Sequence, residues 1–234
     1  MLAGAVAAGL GAPGAATEPI PMRVVIYDYA DVPEAALDAG RRTVDQIFRK
    51  IGVEITWMDP AQFQQAMPDD IVLRRAFVGA VLQISIVSPA MERKLGMHEH
   101  TAGTASTGTR LAWVSLAQLK RFGEQADLGT VLGYVIAHEI GHLLLPAKSH
   151  AVRGLMQERV DPRLIAHNNM WFLPEHATII RCELAGRNQR LQVAHARDAP
   201  SADLQPMQPA GSAPCLGRAG NHRRTDSRLK EPSQ

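Results

Sequence analysis

Apolar residues follow two spacings along this chain, and the spacings predict its elements. Met22 to Tyr29 and Val53 to Trp57 are short blocks rich in Val, Ile and aromatic residues, which is the pattern of strands. Between them, Pro33 to Ile51 sets Leu37, Val44, Ile47, Phe48 and Ile51 on one side of a helix, so the chain opens β-α-β. Val81 to Val87 and Leu111 to Ser115 read as two further strands. Leu116 to Phe122 reads as a short helix, Leu128 to Leu145 as a long apolar helix, and Pro174 to Ala185 as a last one. The alternation predicts an α+β domain, a mixed twisted sheet packed with helices.

The long apolar helix carries polar residues where burial makes them costly. His138-Glu139-Ile140-Gly141-His142 interrupts an otherwise apolar run from Leu132 to Leu145. Two imidazoles four residues apart on a helix share a face with Cβ atoms about 5–6 Å apart, so both reach one metal ion, and Glu139 stands beside the place of a bound water. Two imidazoles and a carboxylate inside a protein are unfavourable unless they coordinate or pair. The pattern therefore predicts a Zn2+ site with His138 and His142 as ligands and Glu139 as general base.

A catalytic zinc takes three protein ligands and leaves a fourth position to water. His150 is the candidate third ligand, because Pro146 disfavours helical backbone at Leu145 and residues 147–149 give the chain room to turn back. Glu158, followed by Asp161, ranks second. His98 and His100 flank Glu99 in a polar loop, His167 and His176 follow the site, and His195 and His222 lie near the end of the chain. Tyr134, one turn before His138, reads first as core and second as a group that hydrogen-bonds a ligand.

His138-Glu139-x-x-His142, then His150, then Gly154-Leu155-Met156 resembles the metzincin-type zinc metallopeptidases, in which a third histidine follows the helix and a methionine turn lies beneath the metal. The usual signature is HExxHxxGxxH, whereas this chain has Leu145 at the glycine place and Lys148 at the third-histidine place. A group of small bacterial zincin-like proteins reading HExGHLLLxxxxHxxxGxM is more similar, and residues 138–156 fit it position by position. The resemblance implies a zincin-like fold, His150 as third ligand, Met156 in the methionine turn, and hydrolysis within peptide or protein substrates. In zincins an edge strand pairs with the extended substrate, and Leu111 to Ser115 or the Thr-rich stretch before it is placed to do so. A zinc-binding module without catalysis, or an interaction protein using a basic tail, are the other classes the residues leave open.

Composition divides the 234 residues. Hydrophobic content of 46% suffices for a sizeable core, expected over residues 21–186. From Arg187 to Gln234 the chain turns to Pro, Ser, Gln, Arg and Ala, with eight Lys/Arg against four acids, and reads as a disordered basic tail. Its cations are scattered without aromatic partners or an amphipathic stripe, so no nucleic-acid partner is expected. Residues 1–20 begin with a small, apolar stretch that is too short to span a membrane and ends in Gly14-Ala15-Ala16, like the end of an export signal, although a basic start is missing. A secreted or periplasmic protein is the expectation, in which Cys182 and Cys215 can pair. The sequence has no CxxC pair and no glycine-rich phosphate loop.

Overall fold

The computed structural model describes residues 18–98, 101–106, 109–122, 126–147, 149–158, 164–165, 167 and 169–198. The start of the expected export segment, Glu99, His100, Asp161, and the tail from residue 199 with Cys215 and His222 lie outside the described residues.

In chain order the elements are β1 (Ile20–Asp28), α1 (Glu34–Arg49), β2 (Val53–Met58), α2 (Pro60–Gln65), α3 (Ile71–Ala80), β3 (Val81–Val87), α4 (Pro89–Leu95), β4 (Gly103–Ser106), β5 (Leu111–Ser115), α5 (Leu116–Phe122), α6 (Leu128–Leu144) and α7 (Pro174–Asp198). The expected mixed sheet packed with helices is what forms. Its five strands run in the order β2-β1-β3-β5-β4. The first four are mutually parallel, and β4 is antiparallel to β5, with Gly103 opposite Val114 and Ser106 opposite Leu111.

Parallel strands covered on both faces lose the simple alternation of polar and apolar residues. In β1, Met22, Val24 and Ile26 enter one core with Leu82, Ile84 and Val114 of the neighbouring strands, against α1 and α6. Val25 enters a second core on the other face, closed by Phe63 of α2, Leu73 and Phe77 of α3, and Leu191 and Ala194 of α7. Each large side chain so buried contributes about 1.5–3 kcal/mol, which is why the uninterrupted run Val24-Val25-Ile26 is stable inside the sheet.

Two expectations are corrected. Leu111 to Ser115 is an inner strand, so of the two candidates it is the Thr-rich stretch, as β4, that reaches a sheet edge. The last helix does not stop at Ala185. It runs to Asp198, because Ile180 and Leu184 pack in the first core while Leu191 and Ala194 pack in the second. Arg187, placed at the head of a disordered tail by composition, is buried; its Nη2 donates to the Leu143 carbonyl at 2.9 Å and its Nε to Glu183 at 2.8 Å. The carbonyls of a helix's last turn lack partners within the helix, and this guanidinium supplies one for α6. Among the described residues, no helix is long and apolar enough to cross a membrane.

Candidate metal centre

Helix α6 is bounded by its own sequence. Asp127 caps its start by accepting from Thr130 N at 2.9 Å, and before Pro146 the backbone of Leu145 turns extended. Inside, α6 is buried nearly all round, and His138 and Glu139 are 8% and 4% exposed. The chain then turns back, and Ala151 N donates to the Met156 carbonyl at 2.8 Å. Gly154 sits at φ +80, where a Cβ would also crowd Trp171 O at 2.8 Å, so the turn requires glycine on both counts. Leu155 N donates to that Trp171 carbonyl at 2.8 Å, and Phe172 packs edge-on against Phe48 at 5.2 Å, which ties the turn to the core.

This turn brings His150 back to the helix. The Nε2 atoms of His138 and His142 are 3.0 Å apart, and those of His142 and His150 are also 3.0 Å apart. One ligand atom from each of the three residues lies within 4.8 Å of the others. His138 Nδ1 is 2.8 Å from the Leu155 carbonyl, which can only accept, so Nδ1 carries the proton and Nε2 presents its lone pair. His142 Nδ1 stands 3.1 Å from Ser149 Oγ, so its Nε2 is free in the same way when Nδ1 donates. Burial, opposed by the Leu155 bond and helped by His150, holds the His138 imidazole below its ordinary pKa. Burial and the two neighbouring imidazoles push His142 down to about 4. At neutral pH these rings carry no charge of their own.

Converging lone pairs repel unless a cation lies between them. Zinc–nitrogen bonds of about 2.0–2.1 Å at tetrahedral angles separate their nitrogens by about 3.3 Å, within a few tenths of an ångström of the spacing here. Neutral imidazoles are also a donor set that zinc takes. The residues present fit the metal.

Glu139 lies beside this cluster with no partner for Oε2 among the described residues, and burial raises its pKa to about 8. Gly103 of β4 is its neighbour. In the sequence this contact is signalled only by a glycine in a stretch of small residues. Ser149 and Arg187 carry no such signal, since nothing in their spacing tells of a hydrogen bond to His142 or to the end of α6.

The remaining candidates fall elsewhere. Glu158 is exposed and outside the three-histidine cluster. His98, His167, His176 and His195 are likewise not part of it. Tyr134 is 2% exposed with its hydroxyl on the Met170 backbone, which makes it a core residue. Met156 is fully buried and packs on Gly141, under the helix turn between His138 and His142.

No protein-family model matches the sequence, and no curated protein does. Among solved structures, the chain is similar to a zinc-dependent peptidase from Methanocorpusculum labreanum (strain Z), with a TM-score of 0.47 and 13% identity over 67% of this chain and 99% of that one. It is also similar to archaemetzincin from Methanopyrus kandleri, with a TM-score of 0.42 and 16% identity over 75% of this chain and 99% of that one.

Proposed function

We propose that the chain is a zinc-dependent peptidase in which His138, His142 and His150 hold the metal and Glu139 is the general base. The observation that carries the reading is the convergence of three imidazole Nε2 atoms beside a buried carboxylate whose Oε2 has no hydrogen-bond partner among the described residues. Bound there, zinc supplies a polarised substrate carbonyl and a water of lowered pKa. Glu139 takes the proton of the attacking water and passes it to the nitrogen of the departing amine. The Leu155 carbonyl and Ser149 hold the His138 and His142 rings so that each keeps its lone pair on Nε2.

Substrate orientation follows from β4. Ala102 O accepts from Ser115 N, and with the antiparallel register this leaves the backbone N–H and C=O of Gly103 and Ala105 on the free edge of the sheet. An extended peptide adds to such an edge through main-chain hydrogen bonds. Gly103 lies against Glu139, so the bond to be cut passes the general base. An open edge accepts the middle of a chain, which makes the enzyme an endopeptidase acting within a metzincin-like framework, with Met156 in the methionine turn.

A zinc-holding module without hydrolysis is the second reading. It is favoured by one observation, the 4% exposure of Glu139 beneath β4. Glu139→Gln separates the two. In a peptidase the variant keeps its zinc, measured by elemental analysis, and loses hydrolysis of a mixed protein substrate about 10²–10⁴-fold. A zinc-loaded parent chain that cleaves nothing in that mixture establishes the module instead.

A further inference from the structure

A second charged cluster involves Arg110, the residue before β5, and side chains of α7. Arg110 stands at φ 59, its carbonyl accepting from Gln83 N at 3.2 Å, and its guanidinium lies beside Gly79 near the end of α3. Arg187 and Arg190 come from α7 and share one carboxylate: Arg187 Nε is 2.8 Å and Arg190 Nη2 is 3.8 Å from Glu183 Oε1. The Arg187 side chain is 7% exposed. Arg187 Nη1 and Arg110 Nε are both buried with no hydrogen-bond partner among the described residues.

Charge does not balance in this cluster. Burial first, then Arg187 and Arg190, disfavour the charged form of Arg110, with Glu183 alone acting against them. Buried guanidinium N–H groups without acceptors are unfavourable, and an oxyanion offers charge-assisted bonds to several at once. Alongside Arg190 runs a groove of about 380 Å³, whose apolar lining includes Val72, Ala76, Val193 and Ala194. Val72 and Val193 are 55% and 46% exposed, large for aliphatic side chains on a folded surface.

We propose that Arg110, Arg187 and Arg190 form an oxyanion-binding site for a phosphate or carboxylate group, with the adjoining groove taking the apolar remainder of the ligand. The site is separate from the three-histidine centre and does not rest on the peptidase reading, because its test passes through no hydrolysis.

The test is thermal unfolding of the full-length chain at constant ionic strength, with phosphate, hexyl phosphate or hexanoate replacing chloride. A ligand of the native state raises the melting temperature with concentration as its binding constant dictates. At least one oxyanion is expected to stabilise beyond chloride, and hexyl phosphate to half-saturate below phosphate if phosphate is the preferred group. Hexanoate acting alone identifies the carboxylate. Arg190→Gln, at a side chain 63% exposed, and Arg110→Gln are each expected to weaken the apparent affinity about tenfold, read from the anion-dependent increment so that any change in basal stability drops out. Loss of the response in Arg190→Gln also excludes anion capture at the histidines. Oxyanions that stabilise no more than chloride, or variants that respond as the parent does, overturn the proposal.

Discussion

Gly103 stands over Glu139 so closely that a methyl group on its Cα would lie 2.5 Å from Oε1 and 2.7 Å from Cδ. The edge strand and the carboxylate are therefore one packing unit. Gly103→Ala is expected to destabilise the protein by about 1–3 kcal/mol, the usual cost of overpacking a filled interior. Placed on Glu139→Ala, which vacates the space, the same change should cost much less. A double-mutant cycle in urea checks this, and additive effects would mean that the two residues do not touch.

The ligand set makes its own prediction. His150→Ala removes one of the three proposed donors and should lower zinc affinity, read by chelator competition, by far more than Glu158→Ala, which should change nothing. Ser149→Ala leaves the donors in place but frees the His142 ring, and an affinity loss of about 10–100-fold is expected. Equal affinity in His150→Ala and the parent would promote Glu158.

Protonation of Glu139 should be visible in the stability of the metal-free protein. The unfolded carboxyl titrates near 4.5 and the folded one near 8, so as pH rises between these values the unfolded state releases a proton that the folded state keeps. Stability present at low pH is lost across that window at up to about 1.4 kcal/mol per unit. His142, lowered to about 4 from 6.5, works oppositely below pH 6.5 and falls silent above it. Between pH 6.5 and 8 the parent should thus lose urea resistance while Glu139→Gln stays level; parallel profiles would refute the assignment.

Arg187→Ala should cost about 1–3 kcal/mol, because it leaves the Leu143 carbonyl without its partner at a buried helix end. A chain ending at Gly186 loses Leu191 and Ala194 from the second core as well and is expected to show no cooperative unfolding transition. A sharp transition in that shortened chain would return residues 187–198 to the tail.

Much of this was legible in the sequence where one periodicity governs a segment. β3, β5 and α5 occupy the residues that their apolar spacing marks, and α6 ends one residue before the expected Leu145. The shared face of His138 and His142 follows from helical spacing alone, and Pro146 announces the turn that returns His150. Short helices escaped notice although their caps were written out: Asp59 and Gln62 form a reciprocal cap on α2, and Asp70 accepts from Val72 and Leu73 at the start of α3. β4 has no large apolar residue to signal a strand; pairing with β5 makes it one. The error at α7 has a physical source. The buried residues of α7, Ile180, Leu184, Arg187, Leu191 and Ala194, form one stripe at spacings of four and three, but a charged residue stands in the middle of that stripe and polar residues surround its second half, which therefore looks like solvated chain.

That division of α7 between two faces of the sheet bears on the order in which the protein can assemble. A chain leaving the ribosome N-terminus first can join β1, α1, β2, β3 and α6 once residue 144 has emerged, since their contacts are mutual. The opposite face cannot close until Leu191 and Ala194 arrive, more than a hundred residues after their partners Phe63, Leu73 and Phe77. Until then those side chains lack the cover of α7, and the nascent chain is most open to aggregation during this interval. Synthesis rate over the last helix, rather than over the metal-binding segment, should therefore govern how much of the product reaches the native state.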